Sequence, residues 1–264
     1  MPWTFAHPAA VLPLRALCPR YLSFPALVVG SVIPDAGYYI AGADFATHAH
    51  SLIGGVLICL PTGLLALWVL YFMRRPLCFI LPQPHRAALT PLADAPVALT
   101  AWLLLKVAVS LVIGACTHIV WDAFTHKRDL IGLPMAWLHA TAFQAGARVV
   151  PVYYVMQWLS TLAGTAILIV AYRRWLRCRV SNAVRPDTAR EDRWRYRLLL
   201  AIAAVALVVA VPLAVDVAAR FNGAVAIAVL MRCIAVFGAV TFGLLLMLCA
   251  VVCHVRYGYL GGGL

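Results

Sequence analysis

The chain has 264 residues, 64% of them hydrophobic and only 11% charged, with a formal net charge of +12 and a mean hydropathy of +0.93. A soluble domain carries roughly 25% charged residues, so folding in water is excluded; the apolar stretches here have the length, about 20 residues, that a helix needs to cross a bilayer. The short alternating segments of a β-barrel are missing. The basic residues gather between apolar stretches, which fits contact with anionic head groups and excludes a nucleic-acid partner.

In chain order, residues 8–20 and 24–33 are apolar but too short to span, and are interrupted by Pro13, Pro19 and Pro34. They are predicted to be half-helices at the interface, the second starting at Ser23 and Pro25 and leaving Asp35 just past its end. No basic region or cleavage motif marks a removable signal peptide before them. Five full spans are predicted, over 48–73, 96–124, 151–172, 198–218 and 224–253. Pro61 and Gly63 kink the first, Arg74 and Arg75 close it, and Asn222-Gly223 turns the chain between the last two. Ser110 and Gly114 permit close helix packing in the second.

The predicted fold class is therefore an all-α polytopic transmembrane bundle of five spans with N-terminal half-helices. Its predicted parts are a metal-site membrane domain (1–175), a basic cytoplasmic loop (176–197), a C-terminal transmembrane hairpin (198–253) and a flexible tail (254–264). With these boundaries thirteen Lys and Arg fall in 74–95, 173–197 and 254–264, against six in 1–47, 125–150 and 219–223. The positive-inside rule places the richer side in the cytoplasm. The eight cysteines form no C-x-x-C pair and read as small core residues.

Chemistry is expected on the other side, where His7, Asp35, His48, His50, His118, Asp122, His126 and Asp129 all map. His118 and Asp122, four apart on a helix, share a face, and His126 continues it if the helix persists. His50 begins the first span and His118 nears the end of the antiparallel second, so the two imidazoles reach equal depth. Asp35 can join them from its half-helix. Two imidazoles and two carboxylates suit Zn²⁺ first, with Mn²⁺ or Fe²⁺ as alternatives. Such an ion lowers the pKa of a bound water to about 7. His7 and His126 can hold a second ion with Asp122 bridging, His126 can instead shuttle protons, and Lys127 and Arg128 can attract an anionic substrate. The competing reading makes these residues helix caps at the interface. His48 is read as a helix-start or solvent residue, and His85, His139 and His254 as structural or solvated. Lys106 is expected to snorkel or pair, and Asp216 to pair with Arg232 across the last hairpin.

The strings FAHPAAVLPLR at 5–15, IPD at 33–35, HSLIG at 50–54 and THIVWDAFTH at 117–126 resemble the bacterial membrane family called domain of unknown function 4184, over about residues 1–175. The order Asp, His, then H-x-x-x-D is more distantly similar to inner-membrane metal-dependent hydrolases and to zinc-dependent phospholipase C. That comparison gives Asp35, His50, His118 and Asp122 metal-ligand positions. The later H-x-x-x-E ligands of the soluble phospholipase have no counterpart, since His139 is followed by Phe143.

The expectation is thus a metal-dependent hydrolase of a phosphoester, a phospholipid head group being one candidate. Its partner is the bilayer; the resemblance implies the bacterial inner membrane, and the positive-inside count puts the site on the extracytoplasmic side. The alternative is a non-enzymatic scaffold or a metal-ion carrier. A carrier places ligands near the midplane, where these spans hold only Lys106 and Arg232.

Overall fold

The computed structural model describes residues 4–40, 43–126, 135–146, 148–180 and 189–258. A 3₁₀ helix, Thr4–Val11, leads into α1 (Leu12–Leu17) and α2 (Phe24–Gly30), and a 3₁₀ turn, Ile33–Ala36, follows. Then come α3 (Gly37–Ile40), α4 (Ala43–Ala49), α5 (Leu52–Leu57), α6 (Cys59–Ile80), α7 (His85–Asp94) and α8 (Ala101–Thr125). After α9 (Ala136–His139), the strands β1 (Thr141–Ala145) and β2 (Arg148–Pro151) pair antiparallel, and α10 (Val152–Val180), α11 (Ala189–Ala218) and α12 (Gly223–Gly258) complete the described chain. Five helical stretches are long and apolar enough to cross a membrane: Ile53–Ile80, Ala101–Thr125, Val152–Val180, Asp192–Ala218 and Gly223–Arg256. The protein is an all-α multi-pass bundle.

Several boundaries differ from those expected, each for a local reason. The first span is interrupted at Ile58, between α5 and α6, because Pro61 has no N–H for the carbonyl four residues back and its ring crowds it. The second span starts at Ala101 instead of 96, where the Thr100 hydroxyl caps the helix by accepting from the Leu103 N–H at 3.1 Å. Pro34 lies inside the 3₁₀ turn that carries Asp35, so that turn follows the half-helix where a plain stop was expected. Much of the expected basic loop is helical: α10 runs to Val180, and α11 starts at Ala189.

The chain forms two compact units, Met1–Val69 with Val97–Arg174, and Leu70–Pro96 with Trp175–Leu264. In the first, α2 packs across α8 where neither helix has a side chain to hold them apart. A Cβ on Gly114 would collide with the Leu27 carbonyl and stand 2.9 Å from the Gly30 Cα. Just below this crossing the Ser110 hydroxyl accepts from the Ser23 N–H at 2.8 Å and donates to the Lys106 carbonyl at 2.6 Å. Lys106 is anchored too, donating to the Arg20 carbonyl at 2.9 Å. Around the crossing Ala26, Val29, Ile33, Ala49, Cys59, Leu111 and Ala115 form the buried apolar core.

In the second unit α11 and α12 pack along each other. Ile202, Ala206, Ala210, Ala214 and Ala218 are buried at four-residue intervals on α11, a stripe of small side chains that lets helices approach closely. Gly223 opens α12 at φ +58°, a left-handed conformation costly for other residues. Asp216 pairs with Arg220, in the turn just past the end of α11, at 3.2 Å; the expected partner was Arg232. An Arg four positions on is already within reach. Within this unit the buried Asp192 accepts from the Gln83 N–H at 2.7 Å, and Arg195 donates to the Phe79 carbonyl at 3.0 Å.

Candidate metal centre

The α2–α8 crossing fixes everything above it. Because α2 lies directly on α8, its C-terminal end delivers the Ser31 carbonyl to His118, whose Nδ1 stands 2.7 Å away. The next 3₁₀ turn brings Asp35 over the same ring. His50 follows α4, and its Nδ1 lies 2.6 Å from the Ala46 carbonyl. Ser51 caps α5 by accepting from the Gly54 N–H at 2.9 Å, which pins the residue next to His50.

A carbonyl oxygen only accepts, so both imidazoles carry a proton on Nδ1 and turn Nε2 inward. Those two nitrogens face each other at 3.2 Å. Around them, His50 Nε2 is 3.3 Å from Asp35 Oδ1 and 3.4 Å from Asp122 Oδ2, and His118 Nε2 is 3.7 Å and 3.4 Å from the same two oxygens. The four donor atoms all lie within 4.8 Å of one another and all four residues are buried. A tetrahedral ion with bonds of about 2.0–2.2 Å keeps its ligand atoms roughly 3.3–3.6 Å apart, close to the 3.2–3.7 Å between the two imidazole nitrogens and from each to the carboxylate oxygens. Two carboxylates buried this closely also need positive charge between them. The buried Asp–His–His–Asp group can hold a metal ion.

Protonation competes for the same place. Burial works against charging His50, but its hydrogen bonds to Asp122 and Asp35 outweigh that and push its pKa up to about 10. Burial likewise opposes ionisation of Asp35, and the bond from His50 nevertheless holds its carboxyl below the usual range. His7 goes the other way: burial, reinforced by His118, lowers its pKa to about 3, so the ring is neutral.

His7 stacks on His118 with ring centroids 3.9 Å apart. Its Nε2 is 3.6 Å from Asp122 Oδ1, and among the described residues neither of its nitrogens, nor that oxygen, has a hydrogen-bond partner. His126 does not continue the helical face, because α8 ends at Thr125 and His126 is its extended C-cap. The ring still folds back, with Nδ1 3.4 Å from Asp122 Oδ1, and its side chain is 25% exposed where Asp122 is 4%. Lys127, Arg128 and Asp129 lie outside the described residues. His48 is exposed and bonds the Asp44 carbonyl, apart from the cluster.

Other contributors carry no sequence signature of their own. The Thr4 hydroxyl donates to Asp35 Oδ2 at 2.7 Å and, its proton so used, accepts from the Tyr39 hydroxyl at 3.1 Å. Thr4 and His7 are three apart, hence on one face of a 3₁₀ helix, and that spacing is the signal that could have found Thr4. Gln157 on α10 brings its amide to 3.5 Å from His126 Nε2.

The chain matches the model of one family, Domain of unknown function (DUF4184), over residues 1–253. It belongs to that family. No curated protein and no solved structure matches it. The family match runs well past residue 175, where the sequence resemblance was drawn, so the C-terminal hairpin is part of the family. Its alanine- and valine-rich helices carry no motif a reader could recognise.

Proposed function

We propose that the protein is a membrane-embedded, metal-dependent hydrolase of a phosphoester, and that Asp35, His50, His118 and Asp122 hold the ion. The observation that carries this reading is the pair of inward Nε2 atoms 3.2 Å apart, each fixed by a carbonyl on its other nitrogen. Two imidazole nitrogens stand that close only with a proton or a metal cation between them, and a carbonyl on the far nitrogen is the usual support of a ligating histidine. Zn²⁺ fits the mixed N and O set best, with Mn²⁺ and Fe²⁺ next. A divalent ion would bring a water's pKa to about neutral and polarise a phosphoryl oxygen.

The chain's own residues do the rest. Thr4 orients Asp35 so that Oδ1 faces the cluster. His126, more open to solvent than the ligands, carries a proton to or from the reacting group. His7, Asp122 and His126 are the residues that would hold a second ion, since neither His7 nitrogen nor Asp122 Oδ1 has a hydrogen-bond partner among the described residues. Lys127 and Arg128 follow in sequence and would attract phosphate. A position at the end of a span supports a phosphoester presented at the membrane surface, and the basic bias of the opposite loops supports an extracytoplasmic site in a bacterial inner membrane.

Metal content and hydrolysis of bis(p-nitrophenyl) phosphate, measured together on the purified chain, test the reading. Bound metal with chelator-sensitive hydrolysis, both lost in Asp122→Asn, is expected. His126→Ala should keep the ion and slow hydrolysis roughly 100-fold. Equal, near-zero metal in wild type and Asp122→Asn would remove the basis of the proposal.

A further inference from the structure

Helix α8 has two functional faces. His118 and Asp122 share one with the buried Leu111, Ala115 and Ile119. Another, carrying Ile113, Val120 and Phe124, lines an open groove of about 680 Å³ together with Leu14 and Met156 of α10. The lining is apolar almost throughout, and this volume is within the usual range for a small-molecule site, about 300–1,000 Å³. From Ile113 to Thr125 the groove follows α8 for roughly 18 Å at 1.5 Å per residue, close to the ~15 Å hydrocarbon depth of one bilayer leaflet.

One end of the groove touches the metal centre. Thr125 lines it and holds its hydroxyl 3.3 Å from His126 Nδ1. Trp121 lines it as well and meets the His7 ring edge-on, centroids 6.0 Å apart. A molecule lying in the groove therefore has an apolar body along the span and an end beside Asp122 and His126.

We infer that the groove holds one acyl chain of the substrate with its phosphoester at the metal cluster, so that the substrate is an acyl lipid and not a soluble phosphoester. The inference rests on the hydrolase reading above and specifies its substrate. Annular lipid would coat every exposed helix alike; a lipid held here is bound by a concave site that borders His126 and His7 through Thr125 and Trp121.

Retention of palmitoyl lysophosphatidic acid by the purified full-length chain, read by native mass spectrometry beside metal content, tests it. One lipid per chain is expected, held at least tenfold more tightly than glycerol phosphate or the hexanoyl analogue. Val120→Trp and Met156→Trp, filling the groove from two helices, should each weaken retention at least tenfold with the metal kept. Leu104→Trp, on α8 outside the groove, should change nothing. Retention equal in wild type and both groove variants, or glycerol phosphate held as tightly as the lipid, overturns the inference. The chain-length comparison needs no variant and decides the matter if both replacements misfold. A wild-type chain without metal would instead sink the hydrolase reading, whatever the lipid does, so the two failures are told apart.

Discussion

The two units handle polarity differently: the second buries one small set of charges, Asp192 and Arg195 near the start of α11, and the first a five-residue cluster. In the hairpin of α11 and α12 the buried stripe is alanine after alanine, and the Asp216–Arg220 pair stays exposed. In the N-terminal unit His7, Asp35, His50, His118 and Asp122 are all buried together. Both units use small residues to bring helices close. In the hairpin close contact is the end result; at Gly30 and Gly114 it serves to aim carbonyls and carboxylates at one point. Buried polarity of this density is costly in a membrane, so the contrast marks the candidate site independently of any motif.

Four substitutions break or sharpen the contrast, from the largest effect to the smallest. Asp122→Asn removes the residue that joins both imidazoles of the cluster, and bound metal should fall from about one ion per chain to nearly none by elemental analysis. Gly114→Leu forces α2 off α8 and should destabilise the N-terminal unit by on the order of 3 kcal/mol, as overpacking does, and abolish metal binding. Thermal unfolding in detergent measures the first effect and elemental analysis the second. Thr4→Val deletes the hydrogen bond that orients Asp35, and metal affinity in a competition titration should drop roughly 10- to 100-fold with the fold intact. Ala210→Leu crowds the hairpin and should cost about 1 kcal/mol in unfolding, leaving metal content as it is. If Ala210→Leu lowered metal content as much as Thr4→Val, the contrast between the units would fail.

Much of this was legible in the sequence. Spans show because hydrocarbon demands long apolar runs, and His118 with Asp122 shows because a spacing of four on a helix is rigid geometry. His50 could be added by matching depths along antiparallel spans, and Asp35 because its half-helix ends on the same side. What escaped depends on tertiary approach. The carbonyls of Ser31 and Ala46, which fix both imidazoles, belong to no residue type and leave no pattern. Gln157 reaches His126 from a helix thirty-one positions away, and Thr4 looks like any hydroxyl near an N-terminus. The strand pair at 141–151 was missed because Thr141–Ala145 has no clear alternation. His126 was expected on a continuing helix and is instead its cap; it joins the site by folding back. The groove is invisible in sequence because its apolar face on α8 looks like ordinary lipid-facing surface.

The central claim is that one cation sits among two imidazole nitrogens and two carboxylate oxygens. X-ray absorption at the metal edge of the purified protein tests it most directly. The account predicts a shell of about four N and O scatterers near 2.0–2.2 Å, with the multiple-scattering signature of two imidazoles that is lost in a His50→Ala, His118→Ala double variant. A metal with no imidazole signature, or a spectrum unchanged in that variant, would contradict it.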